Sequence, residues 1–112
     1  MLTSLLTEIT NSYLCYMTNL RDITTVLAGH KNALFRKYAI RSLGIFGSYA
    51  QNQQKEESDI DILVEFEKPV GMEFIDLADE LEKLLHTKVD LVSKKGIKQK
   101  YMDVITKSLI YV

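Results

Sequence analysis

One cysteine, one proline, five glycines and no tryptophan stand among the 112 residues. A lone Cys15 excludes an internal disulfide and reads as a small apolar residue on a helix. No apolar run is long enough to cross a membrane. The first residues lack the basic start and clean apolar stretch of a secretory signal, so a cytoplasmic location is expected. His30 and His86 each stand alone, with no Cys or His at metal-ligand spacing, which argues against a thiolate or imidazole metal centre. His86 sits at an expected helix end, where the dipole favours a cation, and that accounts for it. No repeat, low-complexity tract or linker appears. Residues 1–112 are expected to form a single domain with an ordinary core.

The charge is nearly balanced overall, at −1, but unevenly spread. Residues 1–50 carry five basic and two acidic groups, residues 51–90 four basic and twelve acidic, and residues 91–112 five basic and one acidic. The acidic middle suits a bound cation. It is a poor surface for a nucleic-acid backbone, and direct nucleic-acid binding is not expected. The basic tail (Lys94, Lys95, Lys98, Lys100, Lys107) fits either a triphosphate or an acidic partner, and equally a solvated helix face.

Leu2, Leu6, Ile9, Tyr13, Tyr16, Leu20, Ile23 and Leu27 recur at spacings of four and three, a helical stripe. Asp22 is expected to cap a break between helices over 2–20 and 23–37. Gly29 weakens the second and can mark a bend. A strand near 39–46, a short helical or irregular connector over 48–57 and a strand over 60–66 follow. Lys68-Pro69-Val70-Gly71 makes a turn. Phe74, Leu77, Ala78, Leu81, Leu84 and Leu85 mark an amphipathic helix over 71–86. A strand over 88–92 and a helix over 97–107 complete the pattern, and residues 109–112 are expected to pack on the sheet or the first helix.

The chemistry concentrates in Gly47-Ser48, ten residues, then Asp59-Ile60-Asp61. A Gly-Ser turn at a strand end offers unhindered backbone N–H groups and a hydroxyl, which suit a phosphate. Asp59 and Asp61 share a strand face about 6.6 Å apart. Paired carboxylates so placed suit hard cations such as Mg²⁺. Either motif alone is common in turns and edge strands; all four positions coincide by chance about once in 10⁵ starting points. Ser48 has no His-Asp relay nearby and is a poor nucleophile candidate. For Ser48 to meet Asp59, strands one and two must be antiparallel. The helical crossover then makes strands two and three parallel. The expected fold is therefore α/β (α+β): a small mixed three-stranded sheet with helices packed against it.

The Gly-Ser, ten-residue spacer and Asp-x-Asp pattern resembles the signature of the polymerase-beta-like nucleotidyltransferases. Within them the chain is similar to the minimal nucleotidyltransferases (MNT). The resemblance covers about Ile23 to Val112, leaving 1–22 as a helical extension of a catalytic core over 23–112. It implies the family fold with four to five helices. It also implies a third carboxylate, matched by Asp90 in Lys88-Val89-Asp90-Leu91-Val92. Parallel pairing would bring Asp90 near Asp59 and Asp61. Where relatives often have Ala-Arg-Gly after the Gly-Ser-aromatic, this chain has Ala50-Gln51-Asn52, one positive charge fewer.

The resemblance implies ATP as substrate, its phosphates on Gly47 and Ser48. Two Mg²⁺ ions would be held by Asp59, Asp61 and Asp90, with Asp90 also helping to take the acceptor proton. MNT proteins are often antitoxins paired with HEPN ribonuclease toxins, so the implied reaction is AMP transfer to a tyrosine of a HEPN toxin. Two alternatives stay open. One is transfer to a small-molecule hydroxyl such as an aminoglycoside. The other is an antitoxin that acts by binding alone.

Overall fold

In the computed structural model, residues 19–55 and 57–112 are described. The helix expected over 2–20 and Cys15 fall mostly or wholly before residue 19. Helix α1 runs from Leu20 to Tyr38, capped by Asn19, whose side-chain oxygen accepts the Asp22 N–H at 2.9 Å. The capping role expected of Asp22 is therefore corrected to Asn19. Asp22 lies in the first turn, where an acid meets the positive end of the helix dipole. α1 continues unbroken through Gly29, where a Cβ would meet open space. It ends at Ala39, which takes a left-handed conformation (φ 53°) and donates its N–H to the Phe35 carbonyl.

Strand β1 (Ile40–Phe46) leads into a one-turn helix α2 (Gly47–Ala50) and then β2 (Ile60–Phe66). Helix α3 (Glu73–Leu85) crosses over to β3 (Val89–Ser93). A 3₁₀ turn at Lys94–Gly96, helix α4 (Gln99–Thr106) and β4 (Ile110–Tyr111) complete the chain. His86 caps α3 in a left-handed conformation and donates its N–H to the Glu82 carbonyl at 2.8 Å.

β1 and β2 are antiparallel and β2 and β3 parallel, as the connectivity required. The sheet differs from expectation in having a fourth strand, in the order β3-β2-β1-β4. β4 pairs antiparallel with β1, and the Val112 N–H reaches the Leu43 carbonyl at 2.9 Å. A two-residue strand has no period to read in sequence. It forms because the outer edge of β1 would otherwise leave backbone groups unpaired.

The core lies between the sheet and the helical layer. Ile23, Leu27 and Leu34 of α1 and Leu77, Leu81 and Leu85 of α3 are buried with Leu43, Ile45, Ile60, Ile62 and Val64 of the sheet. Strand alternation sends Asp61, Leu63 and Glu65 to the opposite face. Leu63 is also buried, but outside that cluster. Its cross-strand neighbour Gly44 lies under Leu109, where a Cβ would come within 2.6 Å of Leu109 Cδ1. The C-terminal segment thus covers part of this second face.

Glu80 of α3 joins the two long helices, accepting the Tyr38 hydroxyl at 2.6 Å and the Lys37 ammonium at 3.0 Å. The Tyr38 hydroxyl, then the Lys37 ammonium, holds the Glu80 carboxyl below its ordinary range. Its stabilising contribution is present above the ordinary carboxyl pKa and is lost as pH falls through the depressed value. Glu80→Ala leaves the hydroxyl of buried Tyr38 without this acceptor and should cost about 1–2 kcal/mol at pH 7, with the difference shrinking in acid. Urea unfolding at pH 7 and in acid checks this.

Candidate active site

The end of β1 and the starts of β2 and β3 meet at one corner of the sheet. Phe46 pairs with Asp61 across β1–β2, and Asp61 pairs with Asp90 across β2–β3. Asp61 and Asp90 therefore point to the same face, opposite the helices. Asp59 immediately precedes β2, and the Ile60 N–H is tied to the Lys88 carbonyl at 2.9 Å, which aligns the starts of the two parallel strands.

Gly47 makes the turn out of β1 with φ +75°, a conformation that side chains resist. A Cβ on Gly47 would collide with the Asp61 carboxylate, meeting its Cγ at 3.1 Å. The glycine is thus required twice, by its backbone angle and by the carboxylate lying over it. Phe46, at the N-cap of α2, offers no capping side chain. Tyr49 is buried in the main core and anchors α2 there. Burial, and then the nearby Asp59 charge, raise its hydroxyl above the ordinary tyrosine value.

Asp61 is the perturbed acid of the group. Burial, followed by the Asp90 and Asp59 charges, raises its carboxyl from the ordinary 3.8 to about 6. The three acids therefore gather negative charge beside the glycine turn. Among the described residues no three acid, imidazole or thiol side chains are gathered tightly enough to enclose an ion as they stand. Mutual repulsion of the carboxylates opposes such convergence. As a donor set they fit hard cations: carboxylate oxygens in excess, on two adjacent strands.

Residues 27–112 match the nucleotidyltransferase domain family. The chain belongs to that family. A Methanocaldococcus jannaschii chain named as a candidate protein adenylyltransferase is 50% identical over 98 residues, covering 86% of this chain and all of the relative. The protein adenylyltransferase MntA of Thermococcus cleftensis is 40% identical over 97 residues, covering 86% of this chain and 98% of MntA. Among solved structures, a toxin–antitoxin with AMP-PNP superposes with a TM-score of 0.63 at 26% identity, over 74% of this chain and 69% of that one. The MNT resemblance drawn from Gly47-Ser48 and Asp59-Ile60-Asp61 is borne out at family level.

The corner brings Gly47 and Asp61 into contact and aligns Asp90 with Asp61, with Asp59 and Ser48 one step outside. Sequence reasoning missed Ser108. Its hydroxyl oxygen accepts the Gly47 N–H at 3.2 Å, and the hydroxyl faces the Ile105 carbonyl at 3.5 Å. Only the pairing of β4 with β1 carries Ser108 to the turn, 61 residues away. Lys94 and Lys95 lie at the far end of β3, away from the Gly47 turn.

The raised Asp61 pKa makes a signed prediction for the metal-free protein. Below 3.8 Asp61 is protonated in the folded and unfolded chains alike. Between there and about 6 the unfolded chain gives up the proton first, so folding is disfavoured progressively and then constantly above about 6. Asp61→Asn removes this cost. The shift sets a ceiling of about 3 kcal/mol; Asp61 is half-exposed, and screening reduces the gain to on the order of 1 kcal/mol. Denaturation with chelator present should find the variant more stable at pH 7.5 and equal to the parent near pH 3.5.

Proposed function

We propose that this nucleotidyltransferase transfers AMP from ATP to a tyrosine hydroxyl of a HEPN-type toxin and thereby silences it in the cytoplasm. The observation that carries the reading is the Asp61 carboxylate lying over the Gly47 turn with Asp90 beside it. Support comes also from relatives named as protein adenylyltransferases and from the fold shared with a toxin–antitoxin with AMP-PNP. The catalytic core is taken as 23–112, with 1–22 as an extension.

In this mechanism the Gly47–Ser48 turn receives the phosphates, because a backbone without Cβ permits close approach. Asp59, Asp61 and Asp90 would hold two Mg²⁺ ions. Once bound, these would neutralise phosphate charge and lower the pKa of the acceptor hydroxyl. Asp90, the exposed member, accepts the hydroxyl proton. The tyrosyl oxygen bonds to the α-phosphorus, the bond from that phosphorus to the bridging oxygen breaks, and pyrophosphate leaves. Tyr49 keeps α2 seated in the core and so fixes the turn.

The loss of a positive charge at Gln51 favours a second reading, an antitoxin that works by occlusion. Intact-mass spectrometry of the HEPN partner after incubation with ATP and Mg²⁺ separates the two. Each AMP should appear as a discrete mass step that disappears when the acceptor tyrosine becomes phenylalanine. Asp59→Asn with Asp61→Asn should abolish the step while the protein stays folded. Silencing without any mass change, retained by Asp90→Asn, would establish occlusion instead.

Gly47→Val tests the turn separately. The new side chain collides with Asp61 and strains the backbone, so calorimetry should find ATP affinity reduced at least tenfold. Unchanged affinity would remove the turn from the phosphate site.

A further inference from the structure

At the other end of the same sheet face lies a cleft of about 470 Å³, lined by Arg41, Glu65, Lys68, Lys94 and Lys95 around Pro69. Glu65 stands four residues beyond Asp61 on the same side of β2, about 13 Å along the strand. Its carboxylate accepts the Ser42 hydroxyl at 3.2 Å and pairs with Arg41 and Lys94, each at 3.6 Å. It thus holds two cations at the cleft wall. Lys68 and Lys95 are exposed. With Glu67 included, four cations face two carboxylates, a positive cleft at the end of an acid-rich stretch.

We infer that this cleft docks an acidic segment of the protein that receives AMP, an inference that rests on the proposed protein-directed transfer. Along β3 and into the turn after it, exposed Asp90, half-buried Val92 and half-buried Lys94 form a strip from the reactive corner to the cleft. An extended peptide covers 13 Å in about four residues. A protein acceptor can therefore place carboxylates in the cleft while its tyrosine reaches the corner. A nucleic acid following the same strip would carry phosphates past Asp90 and Asp61, where like charges repel. Discrete carboxylates on a polypeptide avoid that.

Lys68→Glu with Lys95→Glu reverses two exposed charges outside the reactive corner. Calorimetry with the purified HEPN partner should find Kd raised at least tenfold, while ATP affinity stays within twofold. Zero-length carbodiimide coupling in the parent complex should join Lys68 or Lys95 to Asp or Glu of the partner. An unchanged Kd, with coupling confined to other lysines, overturns the inference. So does a cleft that binds short single-stranded RNA, if the double variant loses the RNA but not the partner. Mass spectrometry on the parent keeps the two ideas apart. Partner binding without AMP transfer defeats the proposed reaction while the Kd comparison still decides the cleft.

Discussion

The contact between the Asp61 carboxylate and the Gly47 backbone is the constraint around which the corner is built. It exists because the antiparallel β1–β2 register sets Phe46 opposite Asp61, so that the residue after Phe46 turns beneath the next side chain across. A glycine is needed there on two counts, its positive φ and the carboxylate lying over it. Everything else at the corner depends on that register: the Asp90 alignment through β2–β3, the seating of α2 by Tyr49, and the reach of Ser108 to the turn.

The sheet divides its labour between its faces. One face closes against α1 and α3 with aliphatic side chains and supplies the stability. The other carries carboxylates that work against stability, because burial and then the neighbouring Asp90 and Asp59 charges disfavour an ionised Asp61. A strand alternating Ile60, Asp61, Ile62, Leu63, Val64 and Glu65 serves both, because its even positions are locked into the core. The strand that carries Asp61 is held in place by the packing of Ile60, Ile62 and Val64 on its reverse side.

The C-terminal segment is a working part of the corner. β4 completes the free edge of β1, Leu109 covers Gly44, and Ser108 accepts the Gly47 N–H. A change in the tail would therefore propagate to the turn through the β1–β4 pairing, although the tail carries none of the proposed cation ligands.

Most of this was legible in the sequence because it was local or followed from connectivity. Alternation fixed which residues of β2 face together, the Gly-Ser and Asp-x-Asp spacing brought the chemistry to one hairpin, and a helical crossover made β2 and β3 parallel, carrying Asp90 to Asp61. Three features escaped that reading, the first through a local competition and the other two because only tertiary structure decides them. Helix α1 starts at Asn19 rather than near Asp22 because the better side-chain acceptor lies upstream, a local competition that a heptad pattern running through both positions hides. β4 and Ser108 emerge only when a two-residue segment finds an unpaired edge distant in sequence. The basic tail reads as one patch along the chain, yet folding sends Lys94 and Lys95 past the end of β3 remote from the turn, since three strand residues separate Asp90 from Lys94. Period and spacing determine what neighbours in sequence do together; the meeting of distant segments is set by which edges and faces the assembled sheet leaves unsatisfied.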